Sequence, residues 1–114
     1  MIRKTFDRTV QNMCGGKGSL TIHEILPRNE MMGHGALYAH VTVHPHSSIG
    51  YHRHVANTEP YYILSGHGVF EDNDHTRTPV GPGDVCLIRT GECHGLENET
   101  DEPLEIIALV LNLA

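Results

Sequence analysis

Much of what this 114-residue chain could be is excluded by what it lacks. No apolar run approaches the roughly 20 residues that a bilayer-spanning helix needs. The segment Met1-Ile2-Arg3-Lys4-Thr5-Phe6-Asp7 has two basic residues but no apolar stretch behind them. It does not read as a secretory signal, so a cytoplasmic location is expected. Basic residues are few: 8 Lys and Arg stand against 14 Asp and Glu, for a net charge of −6. Without a basic stripe, neither nucleic acid nor a membrane is an expected partner. Of the 14 acidic residues, 11 lie from Glu59 onward, which gives that half a strongly solvated exterior.

Cysteine is also scarce. Cys14, Cys86 and Cys93 are odd in number and contain no Cys-x-x-Cys spacing, which argues against a disulfide framework and a structural zinc ribbon. Cys86 sits in the apolar run 85–88 and reads as a buried inert thiol. No segment shows helical periodicity, and no internal repeat is visible. No helix pair for reading DNA is appended, which weighs against a stand-alone transcription regulator.

Glycine and proline are abundant, 12 and 6 residues, as suits short strands and turns. Residues 20–26 alternate Leu20 and Ile22 against polar neighbours. Residues 36–43 alternate more cleanly, with Leu37, Ala39, Val41 and Val43 on one face and Tyr38, His40 and Thr42 on the other. Residues 59–65 are bulky at Tyr61, Tyr62, Ile63 and Leu64, as for a strand covered on both faces. A hairpin is expected over 69–80, a short strand over 84–88 and an apolar closing strand over 104–111. Eight or so short strands at close spacing indicate an all-β sandwich or barrel in a single domain. Residues 1–19 form an N-terminal arm, expected to be an edge strand or a contact with a second copy, and residues 20–114 form the barrel.

The chemistry concentrates between Gly50 and Gly66. His52 and His54 are two apart, so in an extended strand their imidazoles share one face. A short loop, 55–58, lets the chain return, and Glu59 can then approach both rings. Two nitrogens and a carboxylate oxygen suit a divalent first-row metal. His94 is a fourth ligand candidate. With ten histidines in the chain, a His-x-His pair alone means little. His44-Pro45-His46 is a second such pair, but it lacks a glutamate at the right distance and reads as loop or surface.

The two segments His52-x-His54-x4-Glu59-x6-Gly66 and Gly83-x7-Gly91-x2-His94-x3-Asn98 together resemble the paired motifs of the cupin superfamily. Two positions depart from that pattern: His46 stands at the leading glycine of the first motif and Arg89 at the usual proline of the second. The resemblance implies a double-stranded β-helix, the jelly-roll cupin barrel, with one metal ion near its middle. It implies His52, His54, Glu59 and His94 as the ligands of Fe, Mn, Ni, Co, Cu or Zn, and commonly a homodimer paired through strands. Three neutral imidazoles and one carboxylate leave a divalent ion with net charge +1. In octahedral geometry two adjacent positions stay open for a small polar or anionic ligand such as a carboxylate, enediol or sugar.

The resemblance allows dioxygenase, decarboxylase, isomerase or lyase chemistry, with Glu59 able to leave the metal and act as a base. A non-catalytic binding or sensor protein that holds its ligand on the metal is the alternative, and an ion that only stiffens the barrel is a weaker one. Fold alone does not choose. Lesser site candidates are Tyr38 and His40 if their face points inward, whichever of Tyr61 and Tyr62 faces the pocket, and Arg89 at the rim. Arg53 and Cys93 are expected to face away from the metal.

Overall fold

A computed structural model describes residues 1–113. Eleven strands run in order: β1 (Phe6–Gln11), β2 (Ser19–Leu26), β3 (Gly35–Val43), β4 (Ser48–Arg53), β5 (Asn57–Thr58), β6 (Tyr61–Ser65), β7 (Gly68–Glu71), β8 (Arg77–Val80), β9 (Val85–Cys86), β10 (Cys93–Glu97) and β11 (Leu104–Asn112). Two single 3₁₀ turns, Met13–Gly15 and Arg28–Glu30, are the only helical elements among the described residues. The larger sheet is ordered β1-β2-β3-β11-β6-β9, with β5 also paired to β11, and the smaller β4-β10-β7-β8. All pairings are antiparallel. This is the all-β, single-domain class that the strand spacing indicated, in the jelly-roll form that the resemblance implied.

The interior follows from alternation. Leu20, Val43 and Leu104 are register partners and fully buried, and Ile22, Val41, Ile106 and Ile63 form the next level. Ala39, Ala108 and Tyr61 come next, two small side chains beside one large ring. Each fully buried aliphatic side chain here contributes about 1.5–3 kcal/mol.

The strand over 59–65 differs from expectation. It starts at Tyr61, and only Tyr61 and Ile63 are buried, while Tyr62 and Leu64 are 45% and 42% exposed. A strand of the outer sheet has one face on the core and the other on solvent, so the bulky run is not covered on both sides. The strand expected over 84–88 shrinks to Val85–Cys86. The hairpin is present as β7 and β8, with the turn closed by Asp72 and Thr76.

Asn98 closes the end of the barrel away from the histidines. It is fully buried. Its Nδ2 donates to the carbonyls of Val43, His44 and Glu102 at 3.0, 3.2 and 2.8 Å, and its Oδ1 accepts from the Thr100 backbone and hydroxyl at 3.0 and 2.8 Å. One amide thus ties three chain segments. Asn98→Ala would strand those buried carbonyls, at a cost of about 3 kcal/mol. Urea unfolding should show a lower midpoint at unchanged m-value, together equivalent to that loss of stability; a shift near zero would refute this role.

Candidate metal centre

The site depends on an irregularity in β4. His94 pairs with His52, but Leu96 pairs with Ile49, so Gly50 and Tyr51 together oppose Gly95. Two residues against one is a β-bulge, which re-aims the strand. Ile49 and His52 are three apart and would otherwise face opposite sides. The bulge lets Ile49 join the core and His52 face the same interior. Glycine is required at the bulge because a Cβ on Gly50 would lie 2.2 Å from the Cys14 carbonyl oxygen.

Beyond Arg53 the chain stays paired: His54 N–H donates to Glu92 O at 3.0 Å, and Gly91 N–H donates to His54 O at 2.7 Å. Gly91 has φ of 90°, which explains the glycine at that turn. Pro60 follows Glu59 and ends the short connection to β6.

Four ligand atoms converge. His52 Nε2 is 3.0 Å from His54 Nε2, which is 3.1 Å from His94 Nε2 and 3.0 Å from Glu59 Oε1; His94 Nε2 is 3.1 Å from Glu59 Oε1. All four lie within 4.8 Å of one another. Two donors at right angles on an ion with bonds of about 2.1 Å are about 3.0 Å apart, so the spacing fits a transition metal.

The tautomers agree with this fit. His52 Nδ1–H donates to Gly50 O at 2.6 Å and His54 Nδ1–H donates to Asn57 Oδ1 at 2.7 Å. Each therefore presents the lone pair of Nε2 to the cluster. Lone pairs facing each other at these distances require a shared proton or a cation between them. His94 is fully buried and its Nδ1 has no partner among the described residues. Its ring is held instead by stacking on Tyr61, centroids 4.8 Å apart at 13°, and by the edge of Phe70 at 5.9 Å.

The charges are tuned by the same contacts. Burial opposes ionisation of Glu59, but hydrogen bonds with His54 and His94 outweigh it and hold its pKa at about 2. The hydrogen bond with Glu59 raises the pKa of His54, and burial lowers that of His52.

Tyr38 and His40 do not reach the cluster. They lie on the face of β3 opposite Ala39 and Val41, outside the barrel, because the apolar set claims the interior. His40 bonds Glu105 at 2.8 Å, and Tyr38 lines an outer groove with Leu26, Met31, Leu109 and Leu111. Tyr62 is also on the outside, whereas Tyr61 faces in, its hydroxyl 3.3 Å from His94 Nε2. Arg89 is exposed in the turn, where its backbone N–H donates to Glu92 Oε1 at 2.7 Å, a bond that proline could not make.

Arg53 is exposed and donates to Gly91 O; Cys93 is its register partner, on the face away from the ligands. Cys86 is buried, and burial pushes its thiol up to about 11. His46 stands outside the site, bonded to Asp101 at 2.6 Å. Its φ of 55° is the left-handed region, the reason a glycine suits that position.

Sequence reasoning did not identify Asn57 or the Gly50 carbonyl as the partners that orient His54 and His52. The only trace was a polar residue in the 55–58 loop. Thr90 helps fix Asn57, its hydroxyl donating to Asn57 O at 3.0 Å.

A sequence match to the Cupin domain family covers residues 39–110, from within β3 through most of β11 and through all four candidate ligands. The chain belongs to the cupin family. It is 39% identical over 104 residues to an oxalate-binding protein from Thermotoga maritima, a match covering 91% of this chain and 85% of that protein. It superposes on the crystal structure of a predicted oxalate decarboxylase from the same organism with TM-score 0.92, at 36% identity over 99% of each chain. A polyketide cyclase from Streptomyces resistomycificus shares the fold at TM-score 0.75 and 20% identity, covering 100% of this chain and 79% of that one.

Two predictions follow from this cupin cluster. His54→Ala should lose most bound metal in elemental analysis and stay folded, while His46→Ala should keep its metal. Full occupancy in the first variant, or comparable loss in the second, would refute the ligand set.

The second concerns pH. The raised pKa of His54 stabilises the metal-free protein below the ordinary value of 6.5, and this is lost as pH rises through the raised value. The depressed pKa of Glu59 stabilises it above the ordinary 4.5, and this is lost as pH falls toward about 2. Both contributions coexist between those ordinary values. Metal needs His54 neutral, so protons compete with it there. The rise in Tm that metal confers should therefore shrink from about pH 8 to about pH 5, with metal released below about pH 6. A pH-independent metal effect on Tm would contradict this.

Proposed function

We propose that this cupin holds one divalent transition metal through His52, His54, Glu59 and His94 and binds a small dicarboxylate on it, oxalate being the simplest. The observation that carries the proposal is the set of four candidate ligand atoms, four of whose separations match an octahedral edge, on half-buried and buried side chains. An ion of charge +2 with one carboxylate ligand keeps a net +1, which favours an anion. A dicarboxylate chelates through two oxygens and so matches two adjacent open positions. The relative named for oxalate binding supports this ligand class. The ion, when bound, would supply Lewis acidity toward the carboxylate oxygens.

Isothermal titration of oxalate into metal-loaded and chelator-stripped protein tests the reading. Binding to the loaded form alone is expected. Equal affinity of both forms would overturn it, and elemental analysis of the same sample names the metal.

Turnover is a second reading, supported by the similarity to the predicted oxalate decarboxylase. Decarboxylation breaks the C–C bond of oxalate, takes up one proton and yields carbon dioxide and formate. Glu59, with a pKa of about 2 and contacts with both His54 and His94, suits a ligand better than a base. Formate assayed in the titration mixture separates binding from turnover.

The protein would act as a homodimer. Tyr62 and Val85 are register partners on the outer face of the larger sheet, both exposed; Leu64 on β6, Leu87 just after β9 and Leu111 on β11 are exposed too. A second copy laid on this face would remove that apolar surface from water. Light scattering should give twice the chain mass of 12.6 kDa; a monomer at all concentrations would refute the dimer.

A further inference from the structure

We propose that the Tyr61 hydroxyl donates a hydrogen bond to the metal-bound oxygen of the anion, which makes Tyr61 a determinant of anion affinity. The inference rests on the reading of a metal-held anion given above. Tyr61 is 1% exposed, and its ring is fixed between the face of His94 and the edge of Phe70. Its hydroxyl lies 3.3 Å from His94 Nε2, and burial together with the nearby Glu59 carboxylate raises its pKa. Among the described residues it is the only group outside the four candidate ligands that is hydrogen-bonded to one of the converging ligand atoms themselves.

A buried hydroxyl needs an acceptor. In the metal-free arrangement His94 Nε2 can serve. A metal would take that lone pair and an oxygen of Glu59, the atoms that converge on one point. The hydroxyl then has two acceptors left in reach: the second oxygen of Glu59, or an oxygen bound at an open position of the ion. The rigid ring aims the donor at the ligand shell in either case. A bound carboxylate oxygen is a charged acceptor, and hydrogen bonds to charged groups are the stronger class. Alternation along β6 excludes Tyr62 from this role, since it lies on the outer face.

The experiment compares wild type, Tyr61→Phe and Tyr62→Phe, each loaded with Co(II) and titrated with oxalate and with formate while the visible spectrum is followed. Tm and bound cobalt are measured on the same samples. Tyr61→Phe should fold, keep its cobalt and bind both anions about tenfold more weakly or worse, with Tyr62→Phe unchanged. Equal anion affinity in wild type and Tyr61→Phe would overturn the inference. So would a loss of cobalt with unchanged anion affinity per ion, because the hydroxyl would then serve Glu59 alone. If wild type binds formate but ignores oxalate, the dicarboxylate reading fails while the formate series still decides Tyr61. If wild type binds neither anion, both fail.

Discussion

Four electron-rich atoms brought within 4.8 Å of one another, four of their separations about 3 Å, form the constraint on which this molecule turns. Three imidazole nitrogens and a carboxylate oxygen have no protons to share when the rings are neutral and their Nδ1–H groups point away. Their mutual repulsion in a partly dehydrated interior must be relieved by a proton or a cation. The lowered pKa of Glu59 and the raised pKa of His54 are the signature of the proton solution. A metal ion is the other solution, and the spacing fits it. The two compete for the same lone pairs.

Holding such a cluster requires rigidity from groups that supply none of its four converging atoms. The bulge at Gly50–Tyr51 turns His52 inward and offers the carbonyl that orients its ring. Asn57 does the same for His54, and Thr90 steadies Asn57 from the second motif. His94 has no hydrogen-bonded support at Nδ1 and depends on aromatic packing. Asn98 does unrelated work at the far end of β10, tying the closed end of the barrel. The second motif therefore combines a ligand, a turn glycine and a structural amide, each for a separate physical reason.

The core of the jelly roll was legible because period-two alternation survives wherever one strand face meets the interior, as in β3 and β11. It failed at Tyr61 to Leu64, where four bulky residues hide which pair is inside. It also misled at Tyr38 and His40: a polar face opposite an apolar one reads equally well as pocket or exterior. Burial of Ala39 and Val41 shows that it is exterior.

The sequence by itself picked out the four residues of the candidate metal cluster and the family, because His52, His54, Glu59 and His94 occur at spacings that few other patterns satisfy together. It also determined the strand-rich class, through its turns and short apolar runs. Only the tertiary structure decided the bulge that points Ile49 and His52 the same way, the partners Gly50 and Asn57 that set the ring tautomers, and the choice of Tyr61 over Tyr62. These depend on register between strands distant in sequence, and a one-residue shift in register exchanges the two faces of a strand.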